Sequence, residues 1–159
     1  MLIEIIILIC LILLAIQDFK SRHVSSWLLT ILFIAYILNV ILHHNRYTAL
    51  LNGMCNIIFL ILQLCMVTLF FYIKEKNATI IDTKIGLGDI VALIILSIGF
   101  SFKSFLIYYI VVLLISLIIT ILFNNKDNKY AIPLVSYMSM IWVLFYIISK
   151  ALNKNLFYL

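Results

Sequence analysis

Charged residues are scarce in this chain of 159 residues: Asp, Glu, Lys and Arg make up 11% of it, against 67% for apolar residues. A soluble domain is typically about half apolar and about a quarter charged. A soluble globule of this size could not bury the excess, because small proteins keep much of their surface in water. The composition therefore excludes a soluble fold. It also excludes disorder, which requires few apolar residues and many charges.

The sequence has one proline, four glycines and three cysteines. Cys10, Cys55 and Cys65 all lie within apolar runs and include no C-x-x-C pair, so we interpret them as small hydrophobic residues rather than as disulfide partners or zinc ligands. The first apolar run has no basic region before it and no small-residue cleavage pattern after it, so we expect a span rather than a removable signal peptide. The net charge of +5 is distributed over short loops, a pattern more typical of membrane proteins than of nucleic-acid binders.

Long apolar runs, separated by short polar and basic segments, fill most of the sequence. A membrane-spanning helix needs roughly 20 residues, and strand alternation is not visible, so we predict an all-α integral membrane protein with a bundle of six transmembrane helices. The predicted spans are 2–17, 27–42, 48–73, 89–102, 105–123 and 131–149. We find no internal repeat and no low-complexity linker, so we expect residues 1–159 to form a single membrane-embedded domain.

The positions of Lys and Arg predict how these spans are oriented. With the N-terminus outside, seven of these residues fall on the cytoplasmic side and four fall on the outer side. The cytoplasmic set is Lys20, Arg22, Lys74, Lys76, Lys84, Lys126 and Lys129, and the outer set is Arg46, Lys103, Lys150 and Lys154. Positively charged loops stay preferentially in the cytoplasm, so this bias favours an N-out, C-out protein of the cytoplasmic membrane.

Two acidic residues lie at the ends of predicted spans. Asp18 closes the first apolar run, and Asp89 opens the fourth, directly after Gly86-Leu87-Gly88. Asp18 lies fourteen positions after Glu4, and Asp89 lies fourteen positions before Lys103, two residues that we expect near the outer interface. At ~1.5 Å per residue, each aspartate would lie about 21 Å from that interface, somewhat beneath the cytoplasmic surface. The matched depth suggests a pair.

Two carboxyls at one depth can share a proton, because like charges in close contact resist joint ionisation. Aspartyl proteolysis requires such a pair, in which one carboxylate activates water while the protonated partner donates to the scissile carbonyl. A carboxylate in a span costs roughly 2.5–3.5 kcal/mol, so acids there usually mark a site or a pathway. The alternative is two unrelated helix-end residues, with Asp89 acting only as a cap. Gly86 and Gly88 favour a site, because glycine admits unusual backbone conformations and close approach of a second backbone.

Three stretches occur in order: Asp18-Phe19-Lys20-Ser21-Arg22-His23-Val24, then Gly86-Leu87-Gly88-Asp89 with Gly99 about one span later, then Lys129-Tyr130-Ala131-Ile132-Pro133-Leu134. Together they resemble the type IV prepilin peptidase family, intramembrane aspartyl proteases of the GxGD type, and the similarity covers most of the chain. The resemblance implies that Asp18 and Asp89 are catalytic. It implies an enzyme that removes the short basic leader from type IV prepilin or pseudopilin precursors at the cytoplasmic membrane face, without metal or other cofactor.

The sequence also departs from the family pattern. The first predicted cytoplasmic loop has only about nine residues and no cysteine, so the resemblance implies a short form that lacks the cysteine-bearing methylase domain of larger members. The chain reads Val24-Ser25-Ser26 where the family commonly has Ile-Pro-Asn, and Val91 where a lysine is common. These differences bear on substrate choice, and a catalytically silent homologue that binds prepilins is a further interpretation.

Glu75 and Asp82 precede Asp89 in the same predicted cytoplasmic loop. They are candidates for contacts with the positive leader of a prepilin, although a solvated surface role is the simpler interpretation. A competing hypothesis comes from another class: a non-catalytic polytopic membrane protein, such as a transporter subunit or an assembly factor. In that protein Asp18 and Asp89 would relay protons or fix the packing of helices.

Overall fold

The computed structural model describes residues 2–21, 24–43, 46–75, 86–123, 133–152 and 156–158. Within these described ranges, six α-helices follow one another, and a short 3-10 helix, η1, follows the last of them. They are α1 (Leu2–Ser21), α2 (Ser26–His43), α3 (Arg46–Glu75), α4 (Leu87–Ser97), α5 (Phe102–Phe123), α6 (Leu134–Ala151) and η1 (Leu156–Tyr158). None of the described residues forms a strand, so the predicted all-α class is confirmed.

Four of these helices are long and apolar enough to cross a membrane. Within the described ranges they are Leu2–Ser21, Arg46–Lys74, Phe102–Leu122 and Leu134–Ala151, and the apolar helices Ser26–Leu42 and Leu87–Ser97 are shorter. Many large apolar side chains are exposed on the outside of the bundle, among them Trp27, Ile121 and Leu122. An exposed apolar surface of this extent indicates contact with lipid, so the helices are those of a membrane protein.

The core of the bundle is built around α1, which packs against α2 and α6. One face of α1 is buried, and Ile7, Leu11, Leu14 and Asp18 all lie on it. Steps of three and four residues keep side chains on one side of an α-helix, so the apolar periodicity of α1 itself carries Asp18 into the interior. α6 packs in turn against α4 and α5 and completes the core.

The relative direction of α1 and α6 follows from contacts at both of their ends. The Tyr146 hydroxyl donates a hydrogen bond to Glu4 Oε2 at 2.8 Å, and Lys150 Nζ lies 3.5 Å from the same oxygen. At the other end of α1, Asp18 contacts Ser136 in the first turn of α6. The two helices are therefore antiparallel, with the start of α1 beside the end of α6.

α4 is shorter than the fourth predicted span. It ends at Ser97, whereas the prediction continued to residue 102, and its 11 residues rise about 16.5 Å, roughly half of a ~30 Å hydrocarbon core. The last carbonyls of a helix have no N–H donor within that helix, and in an apolar interior they need donors from elsewhere in the protein. Asn56 of α3 supplies them, because its Nδ2 donates to the carbonyls of Ser97 and Phe100 at 2.8 and 3.0 Å.

The space beyond the end of α4 is filled by η1. The Phe157 ring packs against Phe100 with centroids 5.0 Å apart and against Trp142 at 5.1 Å. The Ser101 N–H donates to the Phe157 carbonyl at 2.7 Å, which ties the turn after α4 to the segment after α6. Phe100 is fully buried, so η1 is part of the core rather than a surface appendage.

We expect Asn56→Ala to lower the free energy of unfolding by about 2 kcal/mol, because it leaves two buried carbonyls without their donor. Thermal unfolding in detergent micelles, followed by circular dichroism, measures the change. Asn52→Ala is the matched control, since it removes the same side chain one turn earlier on α3, and we expect it to change stability by less than about 0.5 kcal/mol. Equal losses in the two variants would contradict the role assigned to Asn56.

Candidate active site

Asp18 lies in the last turn of α1, and only 4% of its surface is exposed. The sequence predicted a first span of 2–17 with Asp18 just beyond it. α1 instead continues to Ser21, so the carboxyl is held inside a regular helix on its buried face. A carboxyl buried in this way requires hydrogen-bond donors.

The first turn of α6 supplies those donors. Ser136 donates twice to Asp18 Oδ2, from its backbone N–H at 2.8 Å and from its hydroxyl at 2.9 Å. The first amides of a helix have no carbonyl partner within it and are free to bind an anion. The Ser136 hydroxyl also lies 2.9 Å from the carbonyl oxygen of Ala15, one turn before Asp18 on α1.

Asp89 lies in the first turn of α4, three residues after the N-cap residue Gly86. Its carboxyl interacts with the backbone N–H of Gly86. A negative charge in the first turn of a helix interacts favourably with the N–H groups that are free there. The same carboxyl interacts with the backbone N–H of Val135 on α6 and electrostatically with Asp18.

Two consecutive backbone N–H groups at the start of α6 thus face the two carboxyls. The Val135 N–H faces Asp89, and the Ser136 N–H donates to Asp18. The structure places Asp18 and Asp89 at the same end of the bundle, where they interact electrostatically. The depth predicted for Asp89 from an uninterrupted helix to Lys103 does not apply, because α4 ends at Ser97. We call the end of the bundle that holds Asp18, Asp89 and the start of α6 the aspartate end.

Gly86 and Gly88 lie close to Asp89 in the sequence. The sequence predicted that they allow an unusual backbone conformation or the close approach of a second backbone, and the structure shows neither role. Gly86 has φ −67° and ψ 136°, an extended conformation that any residue can adopt. A Cβ on Gly86 would lie 3.1 Å from Asp89 Oδ2, and a Cβ on Gly88 would lie 3.3 Å from the Cβ of Val24. The two glycines therefore leave room for the carboxyl and for the link between α1 and α2, rather than for a second backbone.

The other two predicted site residues have no described position for their side chains. Glu75 is the last residue of α3, its side chain lies outside the described part of the structure, and Asp82 lies wholly outside it. Among the residues that are described, no three His, Cys, Asp or Glu side chains are grouped as a metal site requires. The described site consists of two carboxyls and the amide and hydroxyl donors around them.

Ser136 is a site residue that was not among the candidates predicted from the sequence. Pro133 stands immediately before α6 as its N-cap, and proline often marks the start of a helix. The amides that follow such a start are free donors, so an anion site at the beginning of α6 was predictable. The identity of the anion was not, because Asp18 is 118 positions away in the sequence.

An apolar groove of about 830 Å³ runs along α1 and α6 beside this site. Its α1 wall extends from Leu11 to Lys20, and its α6 wall extends from Ser139 to Leu144. The groove passes the turn of α1 that carries Asp18.

Comparisons of the chain with protein-family models, with curated proteins and with solved structures found no match. No relative therefore supplies a function for the two carboxyls, and their geometry is the main evidence for one.

Proposed function

We propose that this chain is an intramembrane aspartic endopeptidase in which Asp18 and Asp89 are the catalytic pair. The observation that carries the proposal is the convergence of both carboxyls on the first amides of α6. The chain has only six acidic residues, and two of them, from different helices, interact electrostatically within an apolar bundle. Carboxyls in such an environment are costly and usually serve a site or a pathway.

The reaction needs only the two carboxyls and water. One carboxylate removes a proton from water as the water oxygen attacks the scissile carbonyl carbon, and the protonated partner donates its proton to the carbonyl oxygen. When the tetrahedral intermediate collapses, the C–N bond breaks and the leaving amine takes the proton held by the first carboxyl. The C=O bond re-forms as the intermediate returns a proton to the second carboxyl, so the pair ends with the one proton it began with.

We further propose that the aspartate end faces the cytoplasm, in an N-out, C-out protein of the cytoplasmic membrane. The excess of Lys and Arg in the loops at that end supports this orientation. The antiparallel packing of α1 and α6, which brings Glu4 beside Lys150, supports placing the start of α1 and the end of α6 together on the outer side.

The proposed substrates are type IV prepilin or pseudopilin precursors, which join a short basic leader to an apolar helix. The groove along α1 and α6 supports this class, because it is apolar, as a pilin helix is, and it passes the turn of α1 that carries Asp18. Glu75 and Asp82 are the proposed partners of the basic leader. The motifs around Asp18, Asp89 and Pro133 support the same class through their resemblance to the prepilin peptidase family.

A non-catalytic membrane protein is the second candidate, and one observation favours it. Asp18 joins α1 to α6 through Ser136, and Asp89 interacts with the N-cap amide of α4, so each carboxyl has a structural contact of its own. In that case the aspartates would fix helix packing or relay protons, and no peptide would be cut.

A cleavage assay with the full chain in lipid vesicles separates these candidates. The substrate is a precursor with a basic leader joined to an apolar helix, and the expected result is a single cut after the leader, identified by mass spectrometry. A precursor without the leader is the control and should stay intact. An uncut precursor in the presence of folded protein would favour the non-catalytic candidate, and binding without cleavage would indicate a silent homologue.

A further inference from the structure

We propose that the Ser136 hydroxyl is a hydrogen-bond switch that satisfies Asp18 in both of its protonation states. The inference rests on the proposed peptidase function and deepens it, because that reaction requires each carboxyl to gain and to lose a proton. Ser136 acts through Asp18 and does not touch the substrate, so it is a positioning residue rather than a catalytic one.

The geometry around the Ser136 oxygen carries this inference. Oγ lies 2.9 Å from Asp18 Oδ2 and 2.9 Å from the carbonyl oxygen of Ala15. A serine hydroxyl has one proton to donate and two lone pairs with which to accept. It can therefore donate to only one of these two oxygens at a time, and the protonation state of Asp18 decides which.

When Asp18 is ionised, the Ser136 hydroxyl donates to Oδ2 beside the backbone N–H that binds the same oxygen at 2.8 Å. When Oδ2 carries a proton, that O–H donates to Ser136 Oγ, and the Ser136 proton turns toward the Ala15 carbonyl. In both states Asp18 Oδ2 and Ser136 Oγ are hydrogen-bonded, and gain or loss of the proton requires only rotation of the Ser136 hydroxyl, without movement of a heavy atom.

The burial of these groups makes the switch consequential. Asp18 is 4% exposed and Ser136 is 0% exposed, so bulk water does not replace a missing partner. A buried polar group without a partner is costly. Without the Ser136 hydroxyl, a proton on Oδ2 would lose its acceptor, while the backbone N–H would still serve the ionised form. Asp89 is the charged group that faces Asp18 from α4.

Ser136→Ala tests the switch because it removes the hydroxyl and keeps the backbone N–H. Infrared difference spectra between neutral and acidic samples report the C=O stretch of the protonated Asp18 carboxyl, which is assigned by its loss in Asp18→Asn and its persistence in Asp89→Asn. A carboxylic acid that loses an acceptor for its O–H absorbs at higher wavenumber, so we expect the Asp18 band to move up in Ser136→Ala. We also expect kcat for precursor cleavage to fall about 10-fold to 100-fold, with KM nearly unchanged.

Ser139→Ala is the matched control. Ser139 lies one turn further along α6, is equally buried, and its Oγ makes no hydrogen bond within the described part of the bundle. Its removal should leave the Asp18 band in place. An unmoved band in Ser136→Ala, or equal shifts in the two serine variants, would overturn the switch. The infrared result does not depend on turnover, so a shifted band in a protein that cuts no precursor would support the switch while refuting the peptidase.

Discussion

Asp18→Asn and Asp89→Asn are each expected to reduce precursor cleavage at least about 10³-fold. Asparagine keeps the size of the side chain but can neither take a proton from water nor return one, and general acid–base catalysis contributes about 10²–10⁴-fold. The measurement is the initial rate of product formation in vesicles. Because the two carboxyls act as one unit, the double variant should be little slower than either single variant.

Glu4→Gln is the control for this pair of variants. It neutralises an acid on the same helix as Asp18 but at the far end of the bundle, where Glu4 contacts Tyr146 and Lys150. We expect its cleavage rate to stay within about twofold of the parent rate, because exposed ion pairs contribute little. A parent-like rate in Asp18→Asn or Asp89→Asn would rule out the proposed chemistry.

Stability measurements on the same variants separate catalysis from packing. An amide oxygen at position 18 can still accept from the Ser136 N–H, so a catalytic role predicts a large loss of rate with a small change in the unfolding temperature. The non-catalytic candidate predicts the reverse, since the contacts of Asp18 with Ser136 and of Asp89 with Gly86 would then be the reason these acids are present.

Gly99→Ala is expected to destabilise the bundle by about 3 kcal/mol, at the upper end for overpacking of a core. A Cβ on Gly99 would overlap the ring of Tyr36, with the ring Cδ1 only 2.8 Å away. Tyr36 is itself buried and packs edge-on against Trp142 with centroids 6.0 Å apart, so its ring cannot move aside freely. Thermal unfolding in detergent micelles measures the loss.

Gly53→Ala provides the matched comparison. No atom of a neighbouring segment in the described part of the structure lies within 4 Å of a Cβ placed on Gly53. Alanine is the better helix former, so this variant should be neutral or more stable by up to about 1 kcal/mol. In a Tyr36→Ala background the overlap is absent, and Gly99→Ala should then cost less than about 0.5 kcal/mol. An undiminished cost there would refute the overlap.

The sequence was sufficient to predict that Asp18 and Asp89 lie at the same end of the bundle. Asp18 continues the apolar stripe of α1, and Asp89 follows the only Gly-x-Gly in the chain. Both signals are local, and both place a carboxyl where a helix begins or ends. The reason that the carboxyls lie near each other is not local, because the Val135 and Ser136 amides that face them belong to α6, and no periodicity in α1 or α4 indicates this.

The length of α4 was not predictable in the same way. Residues 98–102 are nearly as apolar as the helix before them, and hydropathy measures only composition. The helix nevertheless ends at Ser97, because Asn56 binds the freed carbonyls and Gly99 makes room for Tyr36. Asn56 and Tyr36 lie on other helices, so tertiary contacts determine where α4 ends. A polar residue within an apolar run, as Asn56 is in α3, was the one available sign of it.

The position of η1 has a consequence for biosynthesis. Residues 156–158 are synthesised after α6, yet Phe157 completes the packing around Phe100 at the half-length helix α4. Until the ribosome has added them, Phe100 and Trp142 do not have the Phe157 ring that packs against both of them. The packing around the end of α4 is therefore completed only after α6 has been synthesised.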